Sequence, residues 1–115
     1  MITIQDLKDE KDIPVIFANS YGIISGFNEQ FLKVYKWKKE NLLGEPLTNI
    51  MPENYRDAHH LGFAKFIQTQ TSTILNHPLE LEVEYGDGTS QIAEHILVAE
   101  KIDGEWVVGG QIKPL

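Results

Sequence analysis

Apolar and acidic residues alternate between positions 79 and 85, and this is the clearest periodic pattern in the chain. The odd positions from Leu79 to Tyr85 are apolar, whereas positions 80, 82 and 84 are glutamates. A period of two predicts a strand with one buried face and one solvated face. Further strands are predicted over 91–100 and 106–112, and Asp103-Gly104 between them is typical of a tight hairpin turn. The C-terminal part of the chain therefore predicts an antiparallel meander.

The N-terminal half predicts a hairpin followed by short helices. Residues 2–9 form an amphipathic lead-in helix, and two apolar runs, 14–19 and 21–28, are joined by residues with turn chemistry. Asn28 can cap a helix over 29–37, and residues 39–47 predict a second short helix that Gly44 ends. A further helix follows Pro52 and runs to about residue 70. The order predicts an α+β domain, with short helices on one face of a five-stranded antiparallel sheet.

Composition narrows the possible functions. The chain has 115 residues, enough for one domain with its own core, and a net charge of −7 from 17 acidic and 10 basic residues. Its basic residues form no stripe, so we expect no nucleic-acid partner. The apolar runs are too short to cross a membrane, and the charged N-terminus does not resemble a signal peptide. A cytoplasmic protein, or a cytoplasmic part of one, is predicted.

The chain contains no cysteine. This excludes disulfides, zinc sites built on thiolates, thiol nucleophiles and chromophores attached through sulfur. The serines lack the context of a nucleophile elbow, and no glycine-rich phosphate loop is present. We therefore expect a binding module and not an enzyme.

The segment from Met51 to Phe66 carries the strongest candidate chemistry. Tyr55, His59, Phe63 and Phe66 are spaced four, four and three residues apart, which places them on one stripe of a helix. An imidazole in an aromatic stripe can be buried and still bind a metal or donate a hydrogen bond. The alternative is that His59 is a core histidine bonded to a backbone carbonyl.

The chain from about Pro14 to Lys113 resembles a PAS domain. The residues that carry the resemblance are Asn28 with Phe31, Trp37, the block from Glu40 to Leu47, Ile50-Met51-Pro52, Asp87-Gly88-Thr89 and the closing strand. The resemblance implies a sheet of strand order 2-1-5-4-3, with a ligand pocket between its inner face and the helices. It also implies a sensor or dimerisation module. Residues 1–12 would be a lead-in helix and residues 13–115 a single PAS domain.

A narrower resemblance concerns the run from Met51 to His59. It is similar to the helix of haem-binding PAS domains in oxygen-sensing histidine kinases, which implies b-type haem with His59 as the proximal iron ligand. Those sensors also place an arginine near the third and fourth strands to hydrogen-bond oxygen. No arginine follows Arg56 here, so this part of the pattern is missing.

The haem interpretation predicts a lining for the pocket. Gly62 would leave room for a flat macrocycle beside Phe63 and Phe66. The opposite wall would be formed by residues of the third and fourth strands: Leu79, Leu81, Val83, Ala93, Leu97 and Ala99. If Ala93 and Leu97 point inward, so does His95, which would then be a distal hydrogen-bond donor or a sixth iron ligand. A register shifted by one residue would instead turn His95 to solvent.

The leading hypothesis is a PAS sensory module that binds b-type haem for gas or redox sensing. The alternative is a ligand-free PAS scaffold for protein interaction, and a non-covalent flavin or small organic ligand is a third possibility. Ile96 and Val98 would form an apolar patch on the outer sheet face, which the lead-in helix of the same chain or of a second subunit would cover. A homodimer through this face and the N-terminal helix is predicted.

Overall fold

The protein is a five-stranded antiparallel sheet with short helices on both of its faces. The computed structural model describes residues 2–54, 56, 63 and 75–115. Its elements, apart from two short 3-10 helices at Lys39–Asn41 and Leu47–Ile50, are α1 (Ile4–Asp9), β1 (Val15–Ala18), β2 (Ile24–Phe27), α2 (Glu29–Tyr35), β3 (Leu79–Glu84), β4 (Ser90–Ile102) and β5 (Glu105–Pro114). The strand order is β2-β1-β5-β4-β3, which confirms the predicted α+β fold and sheet order.

The inner face of the sheet carries the main core. The aromatic side chains of Phe31 and Tyr35 on α2 are fully buried there against the strands. The Tyr35 hydroxyl donates a hydrogen bond of 2.9 Å to the carbonyl oxygen of Ile112 on β5. Burial, and to a smaller extent the neighbouring Tyr85, raises the pKa of Tyr35 far above its ordinary value, so the phenol stays protonated and can donate. Other buried members of this core are Ile16, Ile24, Leu42, Ile50, Val83, Ala93 and Ile112.

The C-terminal end of α2 is joined to the end of β3. Lys36 ends the helix in the left-handed conformation, with a φ of 59°. The amide of Gly86 then donates to the Tyr35 carbonyl at 2.9 Å, and the indole nitrogen of Trp37 donates to the Glu84 carbonyl at 3.0 Å. This α2–β3 junction fixes one end of β3, which is an edge strand of the sheet.

The outer face of the sheet is covered in part by α1. Ile4 and Leu7 are buried against a patch that includes Val15 and Val98. A methyl group on Gly109 would lie 2.7 Å from a Leu7 methyl carbon, so the helix is seated directly on the β5 backbone. The lead-in helix therefore covers the sheet of its own chain, and the homodimer through this face stays a prediction.

Two local predictions are wrong in detail. The second short helix, predicted to start near residue 39 and to end at Gly44, is only the 3-10 helix Lys39–Asn41. The backbone that follows bonds to β2 instead: Gly44 donates to the Ile24 carbonyl at 3.0 Å and Ile24 donates to the Glu45 carbonyl at 2.8 Å. The last strand, predicted over 106–112, extends to Pro114, which lies opposite Ala93 at the end of β5. At a strand terminus its missing N–H interrupts no interior part of the ladder.

Candidate functional site

The residues predicted to line the pocket fall into two groups. Tyr55, His59, Gly62 and Phe66 lie outside the residues that the structure describes, so the predicted proximal side of the pocket stays a prediction. Phe63 is helical and half-buried. The remaining members of the predicted site, Leu79, Leu81, His95 and Leu97, all lie on the inner face of the sheet.

Strand register brings these inner-face residues into one surface. Leu79 on β3 lies opposite His95 on β4, and His95 lies opposite Ile112 on β5. Cross-strand partners share a face of the sheet, as do residues two apart on one strand, so Ala93 and Leu97 flank His95 along β4. We call the surface formed by Leu79, Ala93, His95, Leu97 and Ile112 the His95 wall. The inward orientation of His95 follows the predicted register.

Burial along the wall is uneven. His95 is 8% exposed, and Ala93 and Ile112 are almost fully buried. Leu79 and Leu97 are half-buried, whereas Leu81 is 39% exposed at the edge of the sheet. Leu81 therefore lies on the predicted face of the sheet, but at its solvent-exposed edge. The chemistry of the wall is concentrated on the imidazole at its centre.

The His95 ring makes a hydrogen bond that determines its tautomer. Nδ1 lies 3.0 Å from the carbonyl oxygen of Ala93, two residues earlier on the same strand. A carbonyl oxygen can only accept, so Nδ1 must carry the proton and donate it. In a neutral ring the lone pair is then on Nε2. No described residue donates a hydrogen bond to this second nitrogen.

Burial keeps the His95 ring neutral. Desolvation lowers the pKa of His95 below its ordinary value of 6.5, and the hydrogen bond to the Ala93 carbonyl raises it by a smaller amount. The neighbours of His95 on the wall are all apolar, so no opposite charge on the wall offsets the desolvation. The site therefore presents an uncharged imidazole with an available electron pair.

Acid is expected to destabilise the protein through His95. Well above pH 6.5 the ring is neutral in the folded and unfolded states and contributes no pH dependence. As the pH falls from 6.5 towards the lowered folded pKa, only the unfolded state takes up the proton, so the free energy of unfolding falls by at most about 1.4 kcal/mol per pH unit. Urea unfolding from pH 5 to pH 8 would measure this slope.

A His95→Leu variant serves as the comparison for that slope, because leucine matches the apolar wall and does not titrate. Its stability should fall less steeply below pH 6.5 than that of the parent chain. His77 is exposed in a loop, so His77→Gln should leave the slope of the parent unchanged. Parallel curves for the parent and His95→Leu would show that His95 titrates normally in the fold.

Asn76 is a buried polar group that the sequence analysis did not identify. Its backbone amide donates to the Leu97 carbonyl at 2.8 Å, which places it beside the end of the β3–β4 pair. Its side-chain oxygen is buried and accepts no hydrogen bond from the described residues. Its φ of 61° is a conformation that asparagine adopts more readily than most residues, and this turn preference was the available signal.

The described residues offer little support for other kinds of site. Within them, no group of three or more histidine, aspartate or glutamate side chains is arranged to hold a metal ion. The glutamates of β3 lie on the outer face, where Ser90 donates to Glu82 at 3.1 Å and Arg56 lies 3.6 Å from Glu84. In the same part of the chain, no helix is long and apolar enough to span a membrane.

Comparison with known proteins supports the fold. No protein-family model matches the chain. An uncharacterized protein from Azorhizobium caulinodans is 32% identical over 81 residues, which is 70% of this chain but only 11% of that protein. A PAS domain from Desulfitobacterium hafniense superposes with a TM-score of 0.73 at 19% identity, over 90% of this chain and 93% of that chain.

A second solved structure with the same architecture comes from a signalling protein. It is the photoactive yellow protein domain of the sensor histidine kinase Ppr from Rhodospirillum centenum. It superposes with a TM-score of 0.63 at 11% identity, over 87% of this chain and 91% of that chain. At these identities the likenesses show the fold alone, and the chain has the PAS fold.

Proposed function

We propose that this chain is a sensory module that binds a small ligand against the His95 wall and passes the change to a signalling partner. The observation that carries the proposal is the buried neutral imidazole of His95 at the centre of an apolar wall. One nitrogen of this ring, Nε2, has no hydrogen-bond partner among the described residues, so its electron pair is available to a ligand. A bound ligand would supply that partner. Such a role is binding and not catalysis.

The first candidate ligand is b-type haem. Iron requires a neutral imidazole nitrogen in an apolar, water-excluding site, and Nε2 of His95 offers that chemistry on the described side. We propose that His59 is the proximal ligand and that His95 faces the other side of the macrocycle, with Phe63, Leu79 and Leu97 as apolar neighbours. When bound, haem would supply a centre that responds to gas or redox change. The resemblance of the run from Met51 to His59 supports this assignment.

Haem binding is tested by the visible spectrum. We expect the chain, titrated with haemin, to develop a Soret band that saturates at one haem per chain. His59→Ala should abolish the saturable band if His59 is the proximal ligand. His95→Leu should retain the haem but change the position of the band, because it removes a group from the other side of the iron. His77→Gln, in an exposed loop, should behave as the parent.

Other outcomes of the titration would lead to the other hypotheses. A chain that stays colourless with haemin and is isolated without any small molecule would support the ligand-free interaction scaffold. A yellow chain with flavin absorption would support a bound flavin. Because the chain has no cysteine, that flavin could not be attached through sulfur. A Soret band that is the same in His59→Ala and in the parent would dismiss His59 as the ligand.

A further inference from the structure

The side chains of the His95 wall offer a ligand one hydrogen-bond acceptor and no donor. The Nδ1 proton is engaged by the Ala93 carbonyl at 3.0 Å, so the nitrogen that remains for a ligand can only accept. The four other residues of the wall are apolar and offer no side-chain donor. In the register, the cationic residue of β4 on the same face is Lys101, close to the Asp103-Gly104 turn and opposite Trp106. The polar group at the centre of the wall is therefore an acceptor in apolar surroundings.

We propose that the His95 wall selects a small, largely apolar molecule that presents one N–H or O–H donor to Nε2 of His95. This inference rests on the proposed ligand-binding function and concerns a small organic ligand, because haem would meet Nε2 through its iron and not through a hydrogen-bond donor. It names the complementary chemistry: a flat apolar body for the half-buried Leu79 and Leu97, and one donor for the imidazole. His95 is in this sense a specificity-determining residue.

The same polarity disfavours other ligand classes. A carboxylate or phosphate facing the wall would meet a lone pair and apolar side chains, so its charge would be desolvated without a partner. The net charge of −7 adds a repulsive field for anions. An apolar molecule without a donor would fit the surface but leave Nε2 unsatisfied, which costs affinity because a buried acceptor loses its hydrogen bond to water. The N–H or O–H donor of the ligand is thus the feature by which the wall would distinguish one apolar molecule from another.

The tautomer of His95 can be tested without any ligand. In the full chain labelled with ¹⁵N-histidine, two-bond correlation spectra distinguish a protonated Nδ1 from a protonated Nε2. We expect His95 to show a protonated Nδ1 and an unprotonated Nε2 at pH 7.5. A protonated Nε2 at that pH would overturn the proposal, because the nitrogen available to a ligand would then be a donor.

Indole and 1-methylindole provide a matched pair of probes for the selectivity. Both are flat and apolar, and only indole carries an N–H donor. In titrations of the full chain followed by ¹H–¹⁵N spectra, indole should shift the Nε2 resonance of His95 and the amides of Leu79 and Leu97. Indole should bind about tenfold more tightly than 1-methylindole, the effect of one hydrogen bond to an otherwise unsatisfied acceptor.

The variant His95→Leu should reduce this tenfold preference to less than about twofold, since leucine keeps the wall apolar but offers no acceptor. His77→Gln should keep the full preference. Equal binding of the two probes at the inner face of the parent would overturn the proposed selectivity and leave the ligand site intact. Failure of both probes to perturb the inner face would also overturn it, whereas the haemin titration tests the ligand-binding function separately.

Discussion

Replacing Gly86 by alanine is expected to lower the free energy of unfolding by about 3 kcal/mol, as measured by urea denaturation. A methyl group on Gly86 would overlap the Lys36 carbonyl oxygen and lie 2.8 Å from its carbonyl carbon and 3.1 Å from the Cα of Trp37. These are backbone atoms, so no rotation of a side chain can relieve the contact. The α2–β3 junction has to open instead.

Opening the junction has a further cost because hydrogen bonds cross it on both sides of Gly86. The Gly86 amide bonds to the Tyr35 carbonyl, and the Trp37 indole bonds to the Glu84 carbonyl. Each contributes about 1 kcal/mol to stability. The exposed ion pair of Lys36 with Asp87, 3.1 Å apart, lies at the same place and should loosen with them. Since β3 carries Leu79, the variant should also weaken any ligand bound to the His95 wall.

Gly26→Ala is the matched control for this substitution. A methyl group on Gly26 would meet the Phe17 ring at 3.6 Å, an ordinary van der Waals distance. Its effect should therefore stay within about 1 kcal/mol, and loss of glycine entropy in the unfolded chain even favours stabilisation. If Gly86→Ala proved as stable as Gly26→Ala, the close approach of the two backbones would not be real.

The sequence was sufficient to predict elements whose cause is local. The alternation from Leu79 to Tyr85 predicted β3 and which of its residues face inward, and Asp103-Gly104 predicted the turn between β4 and β5. Both residues of that turn have positive φ, 52° and 82°, which is the conformation that this residue pair favours. Asn28 was identified as a helix cap from its own residue type, because asparagine is favoured at the position that precedes a helix. In each case the residues that determine the geometry are neighbours in the chain.

Features that depend on distant backbone contacts were not predictable. Gly86 follows the predicted strand with no local sign of its role, because its lack of a side chain is required by the end of α2, about fifty residues away in sequence. The backbone bonds of Gly44 and Glu45 to Ile24 shortened a helix that its own residues favoured. At the site, the inward register of His95 was open to prediction, but its tautomer depends on one hydrogen bond to the Ala93 carbonyl. A sequence pattern carries no information on that bond.

Asn28→Ala is expected to destabilise the fold by about 3 kcal/mol, because Asn28 joins three segments through its side chain. Its oxygen accepts from the amides of Phe31, at 3.0 Å, and Val15, at 3.1 Å. Its amide nitrogen donates to the carbonyls of Ile13, at 2.8 Å, and Glu10, at 3.1 Å. All four hydrogen-bonding positions of the side chain are used. Alanine removes the helix cap, worth about 1 kcal/mol, and leaves part-buried backbone groups without partners.

Asn28→Asp separates the two halves of this network. An aspartate keeps both acceptor interactions and is favoured at a helix N-terminus, so α2 stays capped. It lacks the two N–H donors and brings a carboxylate against two carbonyl oxygens, so the segment between α1 and β1 should loosen. We expect a loss of about 1–2 kcal/mol in urea denaturation, smaller than for alanine. Amide hydrogen exchange should accelerate in α1 more than in α2.

Asn41→Ala is the control, since Asn41 is exposed and its side chain forms no hydrogen bond with the described residues. Its effect should lie within about 0.5 kcal/mol. If Asn28→Ala fell in that range too, the four bonds would contribute little. The outer-face contacts of α1, which are the packing of Ile4 and Leu7 and the 2.7 Å bond from the Ile4 amide to Glu100, would then hold it. If Asn28→Asp were as costly as alanine, the donors to Glu10 and Ile13 would dominate. The attachment of α1, and not the cap of α2, would then be the main role of this residue.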